Sequence, residues 1–396
     1  MPKQWSARRE SLFSAVLAGF ITTLVGFTSS FAVVLTGLSN VGATASQAAS
    51  GLLALSVLTG LSSIVLSLRH RIPVSIAWST PGAAMLASMG AVNFGFNHAV
   101  GAFLVGAGLI VLSSLLPFMQ RLLAGIPVPI AQGMLAGVLI PLCLKPFSAL
   151  GSIPLPAVVI LLVFLATLRL LPRYAVALTM LAAVLVGVWH ISTTDTWHLV
   201  STIPSLQWVV PEFSVAAIAS ISLPLFIVTM ASQNIPGVAV MSSFNYQVPW
   251  RSSMLVTGTG SALGSVFGGH AINLAAITAA IPAGDQAGPD RSLRWRASAS
   301  SGVFYLGFAA ASALIASVAS ASPAGLFEAA AGLALVATLG NSLAGAVQEP
   351  GWRLSSLVTV LFAAGNVTIW GIGGAFWALV AGLATHWIVE RRSTVR

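Results

Sequence analysis

Residues 72–85 read IPVSIAWSTPGAAM and combine three patterns within one short stretch. Apolar Val74, Ile76 and Trp78 alternate with small residues, which is typical of a β-strand. The alternation ends at Ser-Thr-Pro-Gly, residues 79–82, and an apolar helical pattern follows. Long apolar runs lie on both sides. The stretch therefore predicts a strand, a break and a half-length helix inside an otherwise hydrophobic chain.

The composition indicates a membrane protein. Of 396 residues, 57% are hydrophobic and only 6% are charged, whereas about 25% of the residues in a soluble domain are charged. The net charge of +9 does not indicate nucleic-acid binding, because the basic residues are scattered singly or in pairs between apolar runs. The single cysteine, Cys143, excludes an intramolecular disulfide or a Cys-based metal cluster. We expect a polytopic protein of the lipid bilayer, without a nucleic-acid partner, a metal or another cofactor.

Fourteen segments approach the length of about 20 apolar residues that a spanning helix needs. They are residues 12–38, 44–68, 75–91, 97–118, 121–142, 155–171, 173–190, 214–241, 250–268, 270–283, 294–318, 323–346, 352–369 and 371–390. Fourteen spans place both termini on one side, taken as cytoplasmic, and that side then holds all but Lys145 of the 17 Lys and Arg residues. Because cytoplasmic loops carry the Lys/Arg excess, the count and the orientation support each other.

Seven predicted spans precede the loop at residues 191–213 and seven follow it. An odd number of spans gives the two halves opposite orientations, as in the inverted repeats of many secondary transporters. PVPIAQGMLAGVL (127–139) and PAGLFEAAAGLAL (323–335) open spans 5 and 12 at an offset of 196 residues. The irregular spans 3 and 10 lie at a similar offset. The predicted fold class is all-α, with two inverted seven-span repeats in which spans 3 and 10 are broken into a short strand plus a half-helix.

Span 10 has the same pattern as span 3. It reads GGHAINLAAITAAIPAG at 268–284 and predicts an extended piece at 270–273 and an apolar helix at 274–281 that Pro282 ends. Asn273 is its expected N-cap. Non-helical backbone is costly in lipid, so we expect the extended pieces of spans 3 and 10 to pair near the midplane.

Each predicted half-helix would begin inside the membrane. Ser79 or Thr80 is the expected N-cap in span 3, with Pro81 in the first turn. Two such helix N-termini facing one cavity can bind an anion without Lys or Arg. The alternative is that both breaks are ordinary kinks, because Pro and Gly are common in membrane helices.

Other polar and aromatic residues extend the candidate site. Span 8 holds adjacent Ser232, Gln233 and Asn234 directly before Ile-Pro-Gly at 235–237, which should bend or unwind the helix. An aromatic wall could come from Phe27 and Trp78, although core packing also explains them.

Two residues are candidates for carrying a proton. Glu328 is the only carboxylate inside a predicted span, and an intramembrane carboxylate is a functional candidate by default; the alternative is an interfacial side chain. His270 lies near the predicted cavity and either relays protons or hydrogen-bonds to backbone. The sequence has no Walker-type loop, zincin motif or Ser-His-Asp arrangement, so we expect no enzyme. An ion gradient then drives transport, or the protein is a passive pore.

Three passages resemble the benzoate/proton symporter (BenE) family of bacterial inner membranes: IAWSTPGAAML (76–86), TMASQNIPGVAVM (229–241) and FGGHAINLAAITAAIPAG (267–284). The resemblance covers essentially the whole chain, within the fold of nucleobase–cation symporters and sulfate permeases. It implies a core (transport) domain from spans 1–4 and 8–11, a gate domain from spans 5–7 and 12–14, and an external loop. The corresponding residues are 1–118 and 214–320 for the core, 119–192 and 321–396 for the gate, and 193–213 for the loop.

The resemblance also implies that the protein imports benzoate or a similar small aromatic carboxylate with a proton, by alternating access between the core and gate domains. The implied substrate-binding residues are Ser79, Thr80, Asn273, Ser232, Gln233, Asn234, Phe27 and Trp78. The proton-coupling candidates are Glu328 and His270. The implied location is the bacterial inner membrane with both termini cytoplasmic. Related folds often dimerise through the gate domain, so a homodimer is a further expectation.

The chain departs from the nucleobase branch, which carries glutamates in the eighth and tenth spans. Here the corresponding residues are Ser-Gln-Asn at 232–234 in span 8, and Asn273, Ile277 and Thr278 in span 10. The missing carboxylates suit an anionic substrate, because like charges repel, but they leave the proton carrier open. Two alternatives remain: a passive anion channel or uniporter, and a nucleobase-type symporter with an atypical site.

Overall fold

The structure is a computed structural model that describes residues 2–89, 94–115, 127–197, 202–276, 278–365, 367, 369–370, 372 and 374–390. Several predictions fall partly outside these residues: the end of span 3, the start of span 5, the domain boundary at 118/119, Ile277, and the basic residues Arg121, Arg391, Arg392 and Arg396.

Helices dominate the described fold, and two three-residue strands interrupt them. The helices are α1 (Pro2–Thr28), α2 (Phe31–Asn40), α3 (Ala45–His70), α4 (Thr80–Ser88), α5 (Phe96–Leu115), α6 (Val128–Ser152), α7 (Pro154–Leu170), α8 (Ala175–Thr194), α9 (Val215–Ser243), α10 (Trp250–Ser265), α11 (Ala280–Ala283), α12 (Trp295–Ala310), α13 (Ser312–Ala321), α14 (Leu326–Val347), α15 (Arg353–Ala364) and α16 (Gly374–Thr385). The strands are β1 (Ile76–Trp78) and β2 (Ile272–Leu274). Helix α9 contains π-turns at Ile218–Ser222 and Met230–Asn234.

The fourteen predicted segments all coincide with helices, strand–helix units or helix pairs of this series. Within the described residues, seven helical segments are long and apolar enough to cross a membrane, or eight if the α12–α13 pair, bent by 53°, is one span. Fourteen crossings stay a prediction, because β1–α4 and α16 are shorter than a full span.

Helix α6 runs further than expected. The predicted fifth span ends at residue 142, whereas α6 continues to Ser152 through Pro141 and Pro146. Each interior proline removes one helical hydrogen bond. Membrane helices tolerate this loss because neighbouring helices and local adjustments satisfy the freed carbonyl groups.

Strands β1 and β2 form an antiparallel ribbon in which Ile76, Ala77 and Trp78 pair with Leu274, Asn273 and Ile272 respectively. The backbone bonds continue beyond the strands, from Ser79 N to Ala271 O and from Ala275 N to Ser75 O, each 2.9 Å. The predicted pairing of the two extended pieces is therefore confirmed. Antiparallel pairing is also the direction that two halves of opposite orientation require.

Side chains from flanking helices satisfy the outer edges of this ribbon. Ser63 of α3 accepts the Ile76 N–H at 3.0 Å, and Ser261 of α10 accepts the Ile272 N–H at 2.9 Å. Asn234 of α9 accepts the Leu274 N–H through Oδ1, also at 2.9 Å. An unpaired strand edge is not tolerated in hydrocarbon, so these three side chains allow a two-stranded ribbon to exist inside the fold.

The predicted second half-helix is wrong in its position and length. Asn273 lies within β2 and does not cap a helix, because the ladder keeps the backbone extended as far as Ala275. Helix α11 begins only at Ala280 and contains four residues, with Pro282 inside it. The prediction of two membrane-buried helix N-termini therefore holds only for α4, since α11 is too short to present one.

Glycine allows close contact between the two halves. An added Cβ on Gly60 of α3 would lie 2.6 Å from Gly302 O, and one on Gly302 of α12 would lie 2.5 Å from Gly60 O. Small residues at such crossings let membrane helices approach closely enough for backbone packing. This contact joins α3 of the first half to α12 of the second.

The helices pack in two groups. In the first group α12 packs against α1 and α3, α10 packs against α3 and α5, and α2 packs against α4. In the second group α6 packs against α14 and α15, and α8 packs against α7 and α14. The groups meet where α4 contacts α6, α2 contacts α14 and α13 contacts α8. The division of the chain into a core domain and a gate domain, and the movement of one against the other, stay predictions.

Candidate functional site

Helix α4 begins at the end of the ribbon, deep in the fold. Ser79 is its N-cap: its hydroxyl accepts the Gly82 N–H at 3.1 Å, which confirms the predicted cap. The same hydroxyl lies 2.8 Å from Thr229 Oγ1 of α9. Pro81 has no N–H to satisfy, and the half-buried Thr80 hydroxyl makes no bond to another described residue. The contact between Ser79 and Thr229 therefore holds the α4 N-terminus against α9. Thr80 is the first residue of the helix.

An aromatic cluster lies beside this helix start. Phe27 and Trp78 are each 1% exposed, with ring centroids 5.4 Å apart in an edge-to-face contact. Phe308 stacks on Phe27 at 4.6 Å, and Tyr305 contacts the Trp78 edge at 5.7 Å. Trp78 Nε1 donates to Ser30 Oγ at 2.8 Å. The two predicted aromatics are thus brought together.

Sequence reasoning missed Tyr305, Phe308 and Ser30. Phe308 and Tyr305 lie on α12, about 225 residues after β1 in the chain. No local pattern connects α12 to β1. The available signal was an intramembrane tyrosine, because Tyr305 is one of only three tyrosines in the chain.

Two polar side chains at β2 are buried without complete hydrogen bonding. Asn273 Nδ2 donates to Leu274 O at 2.7 Å, but its Oδ1 has no partner among the described residues. Both ring nitrogens of the fully buried His270 also lack a partner there, and Phe103 of α5 packs near the ring. Buried polar groups are normally paired, so these atoms are candidates to bind a ligand or water.

The polar cluster in α9 supports the ribbon. Asn234 Oδ1 accepts the hydrogen bond from Leu274 N–H, and Asn234 Nδ2 lies 3.0 Å from Met230 Sδ. The Ser232 hydroxyl donates to its own helix at Val228 O, and Gln233 is buried. A π-turn covers these residues directly before Pro236, as expected where a proline removes a helical N–H. Direct substrate contact by these three residues stays a prediction.

Glu328 lies apart from the ribbon, in the first turn of α14. It lines a cavity of about 270 Å³ together with Thr36, Asn40, Ser320 and Phe327. None of the predicted substrate-binding residues lines this cavity. Ser79 and Thr80 directly follow Trp78 in the chain, Phe27 contacts Trp78, and Asn273 pairs with Ala77 in the ribbon. Glu328 lies outside this group.

The ribbon region is a small, uncharged site. It offers one helix N-terminus, hydroxyl and amide groups, and aromatic faces. No group of three or more His, Cys, Asp and Glu residues able to hold a metal occurs within the described ranges. Binding of a substrate by these groups stays a prediction.

Solved transporter structures share this fold. The transmembrane domain of a cyanobacterium bicarbonate transporter, BicA, is 13% identical with a TM-score of 0.59, over 94% of this chain and 97% of that chain. The murine Slc26a9 anion transporter in the inward-facing state is 14% identical with a TM-score of 0.63, over 96% of this chain and 69% of that chain. Fold and site together define the class, a polytopic membrane protein of transporter architecture.

The chain belongs to the BenE family, described as benzoate membrane transport protein, whose model matches residues 10–388. It is 38% identical over 369 residues to inner membrane protein YdcO of Escherichia coli (strain K12), covering 93% of each chain. It is 29% identical over 377 residues to a benzoate membrane transport protein of Acinetobacter baylyi, covering 95% of each. The protein is therefore a multi-pass inner-membrane transporter, and its family is not an enzyme class.

Proposed function

We propose that the protein is a secondary active transporter that imports benzoate, or a similar small aromatic carboxylate, together with a proton. The observation that carries this proposal is the uncharged ribbon site, where an aromatic cluster lies beside a capped helix N-terminus. The family adds the substrate class, because one relative is named for benzoate.

In the proposed complex the ring packs on Phe27 and Trp78. The carboxyl group lies between Thr80 at the α4 N-terminus and Asn273 on β2. Unpaired N–H groups at the helix N-terminus can donate to the carbonyl oxygen of a protonated carboxyl group, and the unpartnered Asn273 Oδ1 can accept a hydrogen bond from its O–H. Ser79 positions the helix start through Gly82 and Thr229.

Proton coupling follows from the charge of this site. No Lys or Arg is among the residues assembled around the ribbon, so a proton that accompanies benzoate removes the cost of burying an unpaired anion. His270 and Glu328 are the candidate carriers. Alternating access arises from movement of the core helices against the gate helices, with both termini on the cytoplasmic face of the bacterial inner membrane.

The first prediction tests function directly. Purified protein in proteoliposomes should accumulate labelled benzoate when the outside is made acidic, because the inward proton gradient drives symport. Accumulation should collapse when a protonophore dissipates the gradient. Empty liposomes control for diffusion of neutral benzoic acid, and labelled uracil controls for a nucleobase symporter.

Other outcomes would replace the proposal. Currents that scale with voltage and do not saturate with benzoate would identify a passive anion channel instead. If benzoate uptake does not depend on the imposed pH gradient, benzoate remains the proposed substrate but the proposed proton coupling is wrong.

A further inference from the structure

The cavity beside Glu328, here called the glutamate cavity, has one acidic and no basic side chain among the described residues that line it. It lies between α2 and α3 on one side and α13 and α14 on the other, with a volume of about 270 Å³. Thr36, Asn40 and Ser320 supply its other polar side chains, together with Ser39. Its walls come from both helix groups, so it lies where α2 of the core faces α14 of the gate.

A second cavity adjoins it. This serine cavity, of about 220 Å³, shares Ala45, Ala316 and Ser320 with the glutamate cavity and adds Ser46 and Ser312 to its lining. Ser312 is 1% exposed, and its Oγ has no hydrogen-bond partner among the described residues. An unpartnered buried hydroxyl that lines a cavity is available to a ligand.

Aromatic rings connect the glutamate cavity to the ribbon. Phe327 lines the cavity and contacts Phe31 edge to face at 5.9 Å. Phe31 stacks on Phe27 at 5.5 Å, and Phe27 contacts Trp78 of β1 at 5.4 Å. These contacts form a continuous series of four buried rings, here called the aromatic ladder, from the wall of the glutamate cavity to Trp78 of β1.

Among the described residues, no basic side chain forms an ion pair with Glu328. The titratable residues on the helices packed against α14 are Cys143 and Lys145 on α6, Arg169 on α7, His190 on α8 and Arg353 on α15. None of them lines the glutamate cavity. No ion pair within the described part of the chain includes Glu328. An ionised Glu328 therefore faces any incoming anion without a compensating charge.

We propose that the glutamate cavity is a loading site for an aromatic monocarboxylic acid, in which Glu328 and the substrate carboxyl group share one proton. This inference rests on the proposed function. Two carboxylates in one small cavity cannot both stay ionised, so one benzoate anion brings one proton from solution. The pair forms an O–H···O⁻ hydrogen bond with a single negative charge, the charge that Glu328 carried alone.

Benzoate transport is then coupled to proton transport at the step in which benzoate enters the glutamate cavity. The benzoate anion and its proton enter together and add no net charge to the cavity. The neutral acid moves along the aromatic ladder toward Asn273 and Thr80, and Glu328 stays behind as the ionised carboxylate. Anion without a proton is repelled by Glu328, which prevents uncoupled uptake.

The experiment measures proton uptake on binding. The full-length protein in detergent is mixed with labelled benzoate at pH 7.5 in weak buffer, and a pH indicator reports protons taken up per benzoate bound. We expect about one proton per benzoate for the native protein and for Glu349→Gln, a matched control at an exposed carboxylate. Glu328→Gln should still bind benzoate, but it should take up less than about a fifth as many protons per benzoate bound.

The pH dependence of the Kd for benzoate shows whether binding takes up or releases a proton. A proton taken up on binding means that affinity is highest at low pH and falls as pH rises. The Kd for benzoate should rise about tenfold per pH unit at alkaline pH in the native protein, as one linked proton requires. In Glu328→Gln it should stay nearly constant, because the repelling charge is gone.

Two results would overturn the inference. Benzoate binding by the native protein without proton uptake would contradict it. Proton uptake that persists in Glu328→Gln would also contradict it. Failure of the native protein to bind benzoate at any pH would instead refute the proposed function, and this inference with it.

Discussion

At the scale of the residue, Ser79 shows how one hydroxyl serves two elements. Its Oγ caps α4 through the Gly82 N–H and meets Thr229 of α9. The cap could be predicted, because Ser before Thr-Pro-Gly is a helix start. The bond to Thr229 could not, since 150 residues separate the two hydroxyls in the chain and no local pattern encodes their contact.

Replacement of Asn273 tests the proposed substrate site at the scale of one residue. Replacing it with alanine removes the Oδ1 that is free to accept the substrate hydrogen bond, so Asn273→Ala should raise the Kd for benzoate about tenfold. That change corresponds to about 1.4 kcal/mol, within the usual contribution of one hydrogen bond. Equilibrium dialysis with labelled benzoate measures it, and Asn97→Ala, a surface amide bonded to Glu212, is the control. An unchanged Kd would remove Asn273 from the site.

At the scale of the element, the ribbon depends on side chains that cover its edges. Alternation in 72–79 predicted the first strand, and the matching pattern in span 10 predicted its partner. The edge contacts from Ser63, Ser261 and Asn234 were not predictable, because serine in a membrane helix usually bonds to its own turn. The late start of α11 was missed for a related reason: tertiary pairing of β2 outweighed the helical pattern of residues 274–281.

Loss of an edge contact should destabilise the ribbon. Asn234→Ala leaves the Leu274 N–H buried without an acceptor, which costs about 1–3 kcal/mol. We expect a lower melting temperature by differential scanning fluorimetry, whereas Ser243→Ala near the end of the same helix should change it little, because Ser243 is exposed. Equal melting temperatures for Asn234→Ala and the native protein would mean that water replaces the amide.

At the scale of the whole molecule, the ribbon is buried and a cavity lies beside Glu328. Composition predicted the helical membrane fold, whereas the count of fourteen spans stays a prediction. Composition could not predict that Phe31 and Phe327 meet, because each aromatic residue alone is explained by packing. Their contact joins α2 to α14, which the proposed domain division assigns to the core and the gate.

Transport should stop when these two helices are tied together. In a Cys143→Ser background, the double variant Phe31→Cys/Phe327→Cys can be cross-linked with a short bifunctional maleimide. We expect benzoate uptake into proteoliposomes to fall at least tenfold after cross-linking, because alternating access needs α2 and α14 to separate. Each single cysteine variant treated with the reagent is the control. Full cross-linking, verified by mass spectrometry, with unchanged uptake would show that this contact does not move.

The ribbon also has a consequence for biosynthesis. Trp78 leaves the ribosome 194 residues before its partner Ile272. At about 5–20 residues per second, β1 waits roughly 10 to 40 seconds before β2 is made. During that interval a nascent chain holds an unpaired strand edge at the membrane. The first half therefore completes its fold only after the second half has been inserted, and the two halves mature as one unit.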